Sequence, residues 1–567
     1  MLRCDAVRIP VALYALALMV RAVLFGLHPD AAYPDSYYYV DVARALQAGH
    51  GFSVNFVYSF VEVGGRLPLH AILPIPSNVY WLPLASIVQL PSIWLFGPTA
   101  FASALPFLLI GSLAAPLTWL IARDVGCQSR VALAAGVAVA IPAAATIYAT
   151  QPDNFSLYQP LATAALWLAA RGLRGHRRSF VLAGLMVGLA SLSRNDGILL
   201  AVPVGLAFVW DRWRAWRSRG TRLPRIRWID ALACAGLFLA VMAPWYIRQL
   251  AVFGQLSPAT ASGRVLFIQT YSDMNSITSD TSLAAFLSQG IGPILASRIQ
   301  GLMSEVVLFS VVCCSVVLVP FVVGGLWARR RSFDFGPYLV YASLLFVGSA
   351  LVFPVLVTHG TFLHSAVALV PFGFIAGLEG VVLAANWAVR HRRGWTEERA
   401  VPMFLIAAVG SLVISAAMFS ALALGPWNAE RDARIAAGHA LDAAGVKPSD
   451  LLMTADPAGF EYFTGHGGVV TPSDPLPVVN EVATAYDIRW LILERAAVTE
   501  QLIPVIESKV RPAWIGAPIF SVPYDGPKTG DPTVDNAPAL AIYPVCTVAG
   551  DTRCSSGPLG DSAANAP

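Results

Sequence analysis

About eleven apolar runs of roughly 17–25 residues divide this chain, and no other feature restricts its fold so tightly. A helix of that length crosses the hydrocarbon core of a bilayer and satisfies its own backbone hydrogen bonds there. Charged residues make up 13% of the 567, about half the share usual in soluble domains. Mean hydropathy is +0.62. The sequence predicts an α-helical polytopic membrane protein.

Loop charge orients the runs, because Lys and Arg collect on the cytoplasmic side. Run 9–27 follows Arg3 and Arg8. That sets the N-terminus in the cytoplasm, and the absence of a small-x-small cleavage site reads as an uncleaved anchor. Runs 99–121, 131–150 and 155–170 follow, the last ending in the basic segment RGLRGHRR. Stretch 180–210 has basic clusters at both ends and is interrupted at Arg194-Asn195-Asp196-Gly197, so it reads as two helices that cross twice. Runs 228–247, 304–327, 337–357, 362–389 and 401–424 complete the set. Every strong basic cluster then lies on one side of the plasma (inner) membrane, and the C-terminal segment lies outside the cell. The basic clusters are short loop segments, and nothing in them points to nucleic acid.

Two outer segments, 28–98 and 248–303, are too long to be simple connectors. The first is rich in Tyr, Phe, Trp and Leu, which are poor residues for a solvated tail. Pro34 and Asp35 open a helix, Tyr38, Val42 and Leu46 recur at helical spacing, and Gly49 and Gly51 close it. Its last part, 80–96, is apolar but interrupted by Pro83 and Pro91, which suits a helix lying along the membrane. Asp35 therefore starts a structured loop at the membrane surface, followed by three consecutive tyrosines. Past Trp427 charges rise and apolar runs shorten. Stretches 451–454 and 490–493 read as buried strands of a small extracytoplasmic α/β domain. The expected organisation is a transmembrane region 1–426, an outer domain 427–550 and a disordered tail 551–567. Cys546 and Cys554 fall in the outer part, where the compartment permits a disulfide across CTVAGDTRC. The alternative is two free thiols.

Ionisable groups at membrane level are costly and tend to be functional or paired. Here they collect at the outer ends of the runs: Asp30, Asp35, Asp41, Glu62, Asp153, Arg194, Asp196, Arg248, Arg264, His359 and His364. The middles of the runs are almost free of charge. Acids and bases converging on one face suggest a reaction there; the plain alternative is that helix ends meet headgroup water. For Asp35 the alternative role is a helix N-cap after Pro34. For Asp153 it is a turn in Gln151-Pro152-Asp153-Asn154.

Several stretches, in this order, carry a resemblance. PDSYYYVDVARALQAGHGF, WLPLASIVQLPSIWLFG, GLASLSRNDGILLAVP and APWYIRQLAVFGQLSP resemble motifs of the GT-C superfamily of membrane glycosyltransferases. GTFLHSAVALVPFGFIAGLEG and TADPAGFEYFTG resemble its late span and its outer domain. Within the superfamily the chain is most similar to the family of protein mannosyltransferases, the aminoarabinose transferase of lipid A and the RgtA/B/C/D-like enzymes. The resemblance implies a GT-C-like fold. It also implies transfer of a hexose or pentose from a polyprenyl-phosphate-linked donor to an extracytoplasmic glycan, lipid or protein. Asp35 would act as general base. Arg194, Arg248 and His364 would bind the donor phosphate, and Asp153 and Glu62 would hold a divalent metal or orient the acceptor. The chain departs from the pattern where many relatives carry two adjacent acids, since Asp35 is followed by Ser36. It departs again at Thr361, Phe362 and His364, where relatives often carry Arg.

The rival class is a transporter or flippase. Such proteins commonly show internal repeats and ionisable residues near the bilayer midplane, and neither is evident here. A non-catalytic envelope-assembly protein would leave loop 28–98 without a role.

Overall fold

The computed structural model describes residues 2–68, 70–141, 147–219, 223–258, 265–547 and 551–554. They form two compact units. The first comprises Met1–Ala31, Trp81–Leu256 and Ile291–Leu424; the second comprises Ala32–Tyr80, Ser257–Gly290 and Gly425–Pro567.

The first unit is helical. Among the described residues, six helices are long and apolar enough to cross a membrane. They are Val7–Leu27, Ala100–Asp124, Trp228–Phe253, Ile291–Val312, Thr361–His391 and Glu397–Ala443, the last belonging to this unit through Leu424. Shorter apolar helices such as Ser129–Ala140, Val319–Arg329 and Gly336–Val352 lie among them. Of run 131–150, residues 142–146 lie outside the described set, as does Arg264.

Stretch 180–210 breaks at the polar interruption. Helix Arg177–Ser193 ends, Arg194 is extended, and the 3-10 turn Asn195–Leu200 leads into helix Ala201–Arg217. Run 304–327 is not one helix, as its hydropathy suggests. It falls into Ile291–Val312 and Val319–Arg329, separated where Ser315 and Val316 take φ of 49° and 61°. Left-handed backbone at a β-branched residue cannot continue an α-helix. Run 401–424 is part of a 47-residue helix. Apolar residues thin out past Leu424, but the Ala, Glu, Arg and Leu that follow keep helix propensity high.

Small residues let the helices approach closely. A Cβ on Gly184 would collide with the Cys234 carbonyl, and one on Gly325 with the Ala376 carbonyl. Ion pairs close the basic helix ends: Arg177 grips Asp230 with two bonds of 2.7 Å, and Arg329 grips Glu379.

The second unit is built on sheets. A small antiparallel pair joins β1 (Ser53–Val54) to β3 (Ile75–Pro76). The main sheet contains β2 (Phe56–Val57), β4 (Leu452–Thr454), β5 (Gly468–Val470), β6 (Trp490–Glu494), β7 (Phe520–Val522) and β8 (Leu540–Pro544). Its order is β2-β5-β4-β6-β8-β7. The pairs β2–β5, β5–β4 and β4–β6 are parallel; β6–β8 and β8–β7 are antiparallel. Strand side chains alternate between faces. Leu491 and Leu493 pack with Val479, Val482 and Ile506, while Trp490 and Ile492 pack with Leu441, Phe460 and Ile542. Both faces are covered, as expected for a mainly parallel sheet. Cys546 and Cys554 form a disulfide.

Candidate active site

In the second unit, Asp35 lies in the first turn of helix Pro34–Gln47. It is not the cap. The residue that satisfies the helix start is Ser36, whose buried Oγ accepts from the N–H groups of Ala32 and Tyr33 at 3.1 Å each and donates to the Tyr33 carbonyl at 2.7 Å. The Asp35 carboxylate is half-buried. Its charge reaches two phenols. Burial first and Asp35 second push Tyr271 up to about 12. Tyr58 is pushed well above its ordinary value for the same two leading reasons.

Glu62 faces inward in the same unit. It accepts from the Tyr58 N–H at 2.9 Å and from the Tyr38 hydroxyl at 3.3 Å. Burial outweighs these donors and pushes its carboxyl up to about 8, so it is largely protonated at neutral pH. The Tyr38 hydroxyl and the Tyr58 N–H engage one carboxyl oxygen each and tie Glu62 into the loop.

The helix that carries Asp35 is held from the side. Tyr37 packs on Tyr462 and Phe463, with ring centroids 5.2 and 5.6 Å apart. Arg44 lies 4.5 Å above the Tyr462 ring and donates to the Tyr462 carbonyl at 3.2 Å. Buried Arg434 reaches Asp456 at 2.7 Å and Glu494 at 2.9 Å, with Tyr37 5.4 Å below its guanidinium. A second clamp fixes the segment that carries Tyr271. Asp474 accepts from Ser276 Oγ at 2.6 Å and from the Ile277 and Thr278 N–H groups at 2.9 and 3.2 Å.

In the first unit, the structure brings Asp153 and His364 together. His364 Nε2 lies 3.2 Å from Asp153 Oδ2, and its Nδ1 lies 2.7 Å from the Gly360 carbonyl. A carbonyl only accepts, so Nδ1 carries the hydrogen. In the neutral ring, Nε2 then offers a lone pair toward a carboxylate oxygen. That geometry calls for a cation between them, either a proton or a metal. Phe155 stacks on the imidazole at 4.0 Å. It also lines an apolar cavity of about 300 Å³ together with Tyr148, Leu308, Leu363, Phe419 and Leu422.

Arg194 and Asp196 hold the helix that bears His364. They pair at 2.9 Å. Arg194 donates to the Thr361 carbonyl at 3.3 Å, and Ser365 Oγ donates to Asp196. Arg248, on helix Trp228–Phe253, lies 5.1 Å from the ring centroids of both Trp245 and Phe253 and donates to Gln249 at 2.8 Å.

Reasoning from sequence missed Tyr58, Tyr271, Ser365, Asp474 and Glu305. Glu305 is fully buried in the apolar helix Ile291–Val312, and neither carboxyl oxygen has a hydrogen-bond partner among the described residues. A lone acid in an apolar span was the available signal.

Residues 83–247 match the family described as dolichyl-phosphate-mannose-protein mannosyltransferase. Asp153 and Arg194 fall inside that segment; Asp35 and His364 fall outside it. No curated protein sequence matches the chain. Solved structures do. ArnT from Cupriavidus metallidurans bound to undecaprenyl phosphate superposes with a TM-score of 0.54 at 15% identity, covering 95% of this chain and 98% of that one. The same protein in the apo state gives 0.55 at 13% identity, covering 98% of each chain. The Archaeoglobus fulgidus oligosaccharyltransferase in complex with Zn and sulfate gives 0.55 at 14% identity, covering 92% of this chain and 72% of that one. The protein is thus an integral multi-pass membrane protein with an ArnT-like fold. Within that class, its mannosyltransferase-like segment lies wholly in the helical unit.

Proposed function

We propose that this protein is a membrane glycosyltransferase that moves a sugar from a polyprenyl-phosphate donor to an extracytoplasmic glycan, lipid or protein. The observation that carries the reading is the ArnT-like fold, matched from end to end to a protein that holds undecaprenyl phosphate. The apolar cavity beside the Asp153–His364 pair supports it, since a prenyl chain needs apolar walls and a departing phosphate needs positive charge. We place the N-terminus in the cytoplasm, residues 1–426 in the membrane region, and the outer domain 427–550 on the far side.

Asp35 acts as general base and takes the proton of the acceptor hydroxyl as its oxygen attacks the sugar's anomeric carbon. The bond from that carbon to the phosphate oxygen breaks, and the polyprenyl phosphate departs. Arg248 faces the phosphate, and the Asp153–His364 pair lies beside the apolar cavity. Arg194, whose charge Asp196 already matches, positions the His364 helix instead. Asp153 and His364 are the residues that would hold a divalent cation, which when bound would supply further charge to the leaving group. The Gly360 carbonyl on Nδ1 is the partner that a metal-binding histidine requires. Glu62, protonated, orients the acceptor side.

Mass spectrometry of envelope glycans, lipids and glycoproteins in a deletion strain tests the reading. One sugar substituent should disappear, and purified protein in vesicles should restore it from a polyprenyl-phosphate sugar. An unchanged envelope, with no turnover of any such donor, overturns it.

A further inference from the structure

Part of the second long outer segment, Ser257–Gly290, belongs to the second unit, and none of its side chains has a task in the transfer so far. It contains the 3-10 turn Tyr271–Asn275, which is secured at several points. Asp273 accepts from the N–H groups of Gln269 and Thr270 at 2.8 and 2.9 Å and from Ser279 Oγ at 2.8 Å. Ser59 Oγ donates to the Met274 carbonyl at 3.0 Å. The Ser473 N–H donates to the Asn275 carbonyl at 2.9 Å. Met274 turns inward and is buried, whereas Tyr271 remains 38% exposed.

The Ser59 bond also brings this turn toward the helix that carries Asp35. Ser59 follows Tyr58, whose ring meets the Tyr38 ring edge to face at 6.1 Å. Tyr38 lies one helical turn after Asp35 and so shares its face. The phenols of Tyr58 and Tyr271 are both pushed up by burial first and by the Asp35 charge second, as groups beside that carboxylate would be. An exposed ring on a secured turn suits binding, because little freedom is lost when a ligand covers it.

The face of a phenol ring is negative and attracts the polarised C–H groups of a sugar ring. An acyl chain would cover the ring but set methylenes beside a charged carboxylate. A Ser or Thr side chain is too small to cover the ring while its one hydroxyl meets the base. A sugar ring can lay its C–H face on the phenol and turn a hydroxyl at its edge to Asp35.

We propose that Tyr271 is a platform for the acceptor, and that the acceptor is a saccharide, free or lipid-linked, whose attacked hydroxyl sits on a sugar ring. This rests on the transferase reading, with Asp35 as the base.

The test uses the full chain in vesicles with the polyprenyl-phosphate sugar whose substituent the deletion strain lacks. The acceptors are the polysaccharide, lipid and protein fractions of that strain's envelope. Linkage analysis of the product should find a sugar-to-sugar bond, in the polysaccharide fraction for a free glycan and in the lipid fraction for a lipid-linked one. Y271A should raise the half-saturating amount of the accepting fraction about tenfold and leave the donor KM unchanged. Y271L, which keeps bulk without a π face, should match Y271A and guards against misfolding, and Y271F, which keeps the ring, should stay within about twofold of wild type. A product bond to a Ser or Thr side chain or to a lipid hydroxyl overturns the saccharide acceptor and leaves the transferase reading standing. No product from any fraction overturns both. Wild-type acceptor demand in Y271A and Y271L, or a rise confined to the donor KM, overturns the platform.

Discussion

Asp35→Asn and Ser36→Ala should separate chemistry from capping at adjacent positions. Ser36 Oγ makes the three hydrogen bonds that begin the helix. Removing it sacrifices a cap worth about 1 kcal/mol and leaves buried N–H groups unpaired at about 1–3 kcal/mol. A loss of about 2 kcal/mol corresponds to about 4–8 °C in melting temperature for a unit of a couple of hundred residues. Asp35→Asn touches none of those bonds and keeps the side chain's size, so melting should move by less than a degree or two. Removing a general base lowers turnover by about 10²–10⁴-fold. The assay is sugar transfer from a polyprenyl-phosphate donor in vesicles, with melting followed in the same preparations. If Asp35→Asn turns over near the wild-type rate, or lowers melting as much as Ser36→Ala does, then Asp35 is not the base and the reasoning fails.

Protonation should tune the second unit. Burial leads the shift of Glu62 to about 8 and of Glu461 to about 7, both from an ordinary 4.5. Between those values the folded chain binds more protons than the unfolded one, so stability falls as pH rises from about 5 to 8. Glu62→Gln should flatten that fall, and melting curves across pH that stay as steep as wild type would contradict it. Asp474→Ala should raise hydrogen exchange at the Ile277 and Thr278 amides about a hundredfold, because bonds to a carboxylate are lost; unchanged protection would show that the clamp is idle. A membrane-impermeant thiol reagent should label a cysteine engineered at Asn195 and miss one at Ser218, and the reverse would sink the two-helix crossing. Cys546 and Cys554 should alkylate only after reduction, and replacing both with Ser should cost the outer domain about 2–3 kcal/mol in denaturant titrations.

Much of this architecture could be read locally. Pro34, Asp35 and the paired glycines bounded a helix that the structure ends at Gln47. The basic clusters around 180–210, with one polar interruption, indicated a broken pair of helices. Strands β4 and β6 stood out as short apolar runs because both are buried along their whole length. What escaped was non-local. Strand β2 has two residues, and its partner Gly468–Val470 is about four hundred positions away; no periodicity survives in two residues. Hydropathy also missed the continuation of Glu397–Ala443, because a helix that leaves its apolar surroundings need not stop.

The Asp153–His364 pair shows why residue type alone underdetermines a site. In sequence, Asp153 reads equally as a turn residue or a ligand, and His364 reads as a cation for phosphate. The structure assigns each atom a separate task. Asp153 Oδ1 accepts from the Asn154 N–H, which is the turn function, while Oδ2 faces the imidazole. The Gly360 carbonyl fixes the hydrogen on Nδ1, so Nε2 binds its neighbour only through a shared cation. If that cation is a proton, Gly360 and Asp153 occupy both ring nitrogens and the pair carries no net charge. If it is a metal, His364 Nε2 and Asp153 Oδ2 would hold it, and it would supply positive charge for a leaving phosphate. Only the second state would bring net positive charge to this place. The fixed tautomer, rather than the presence of a histidine, therefore makes Nε2 the ring atom that would hold a cation beside Asp153.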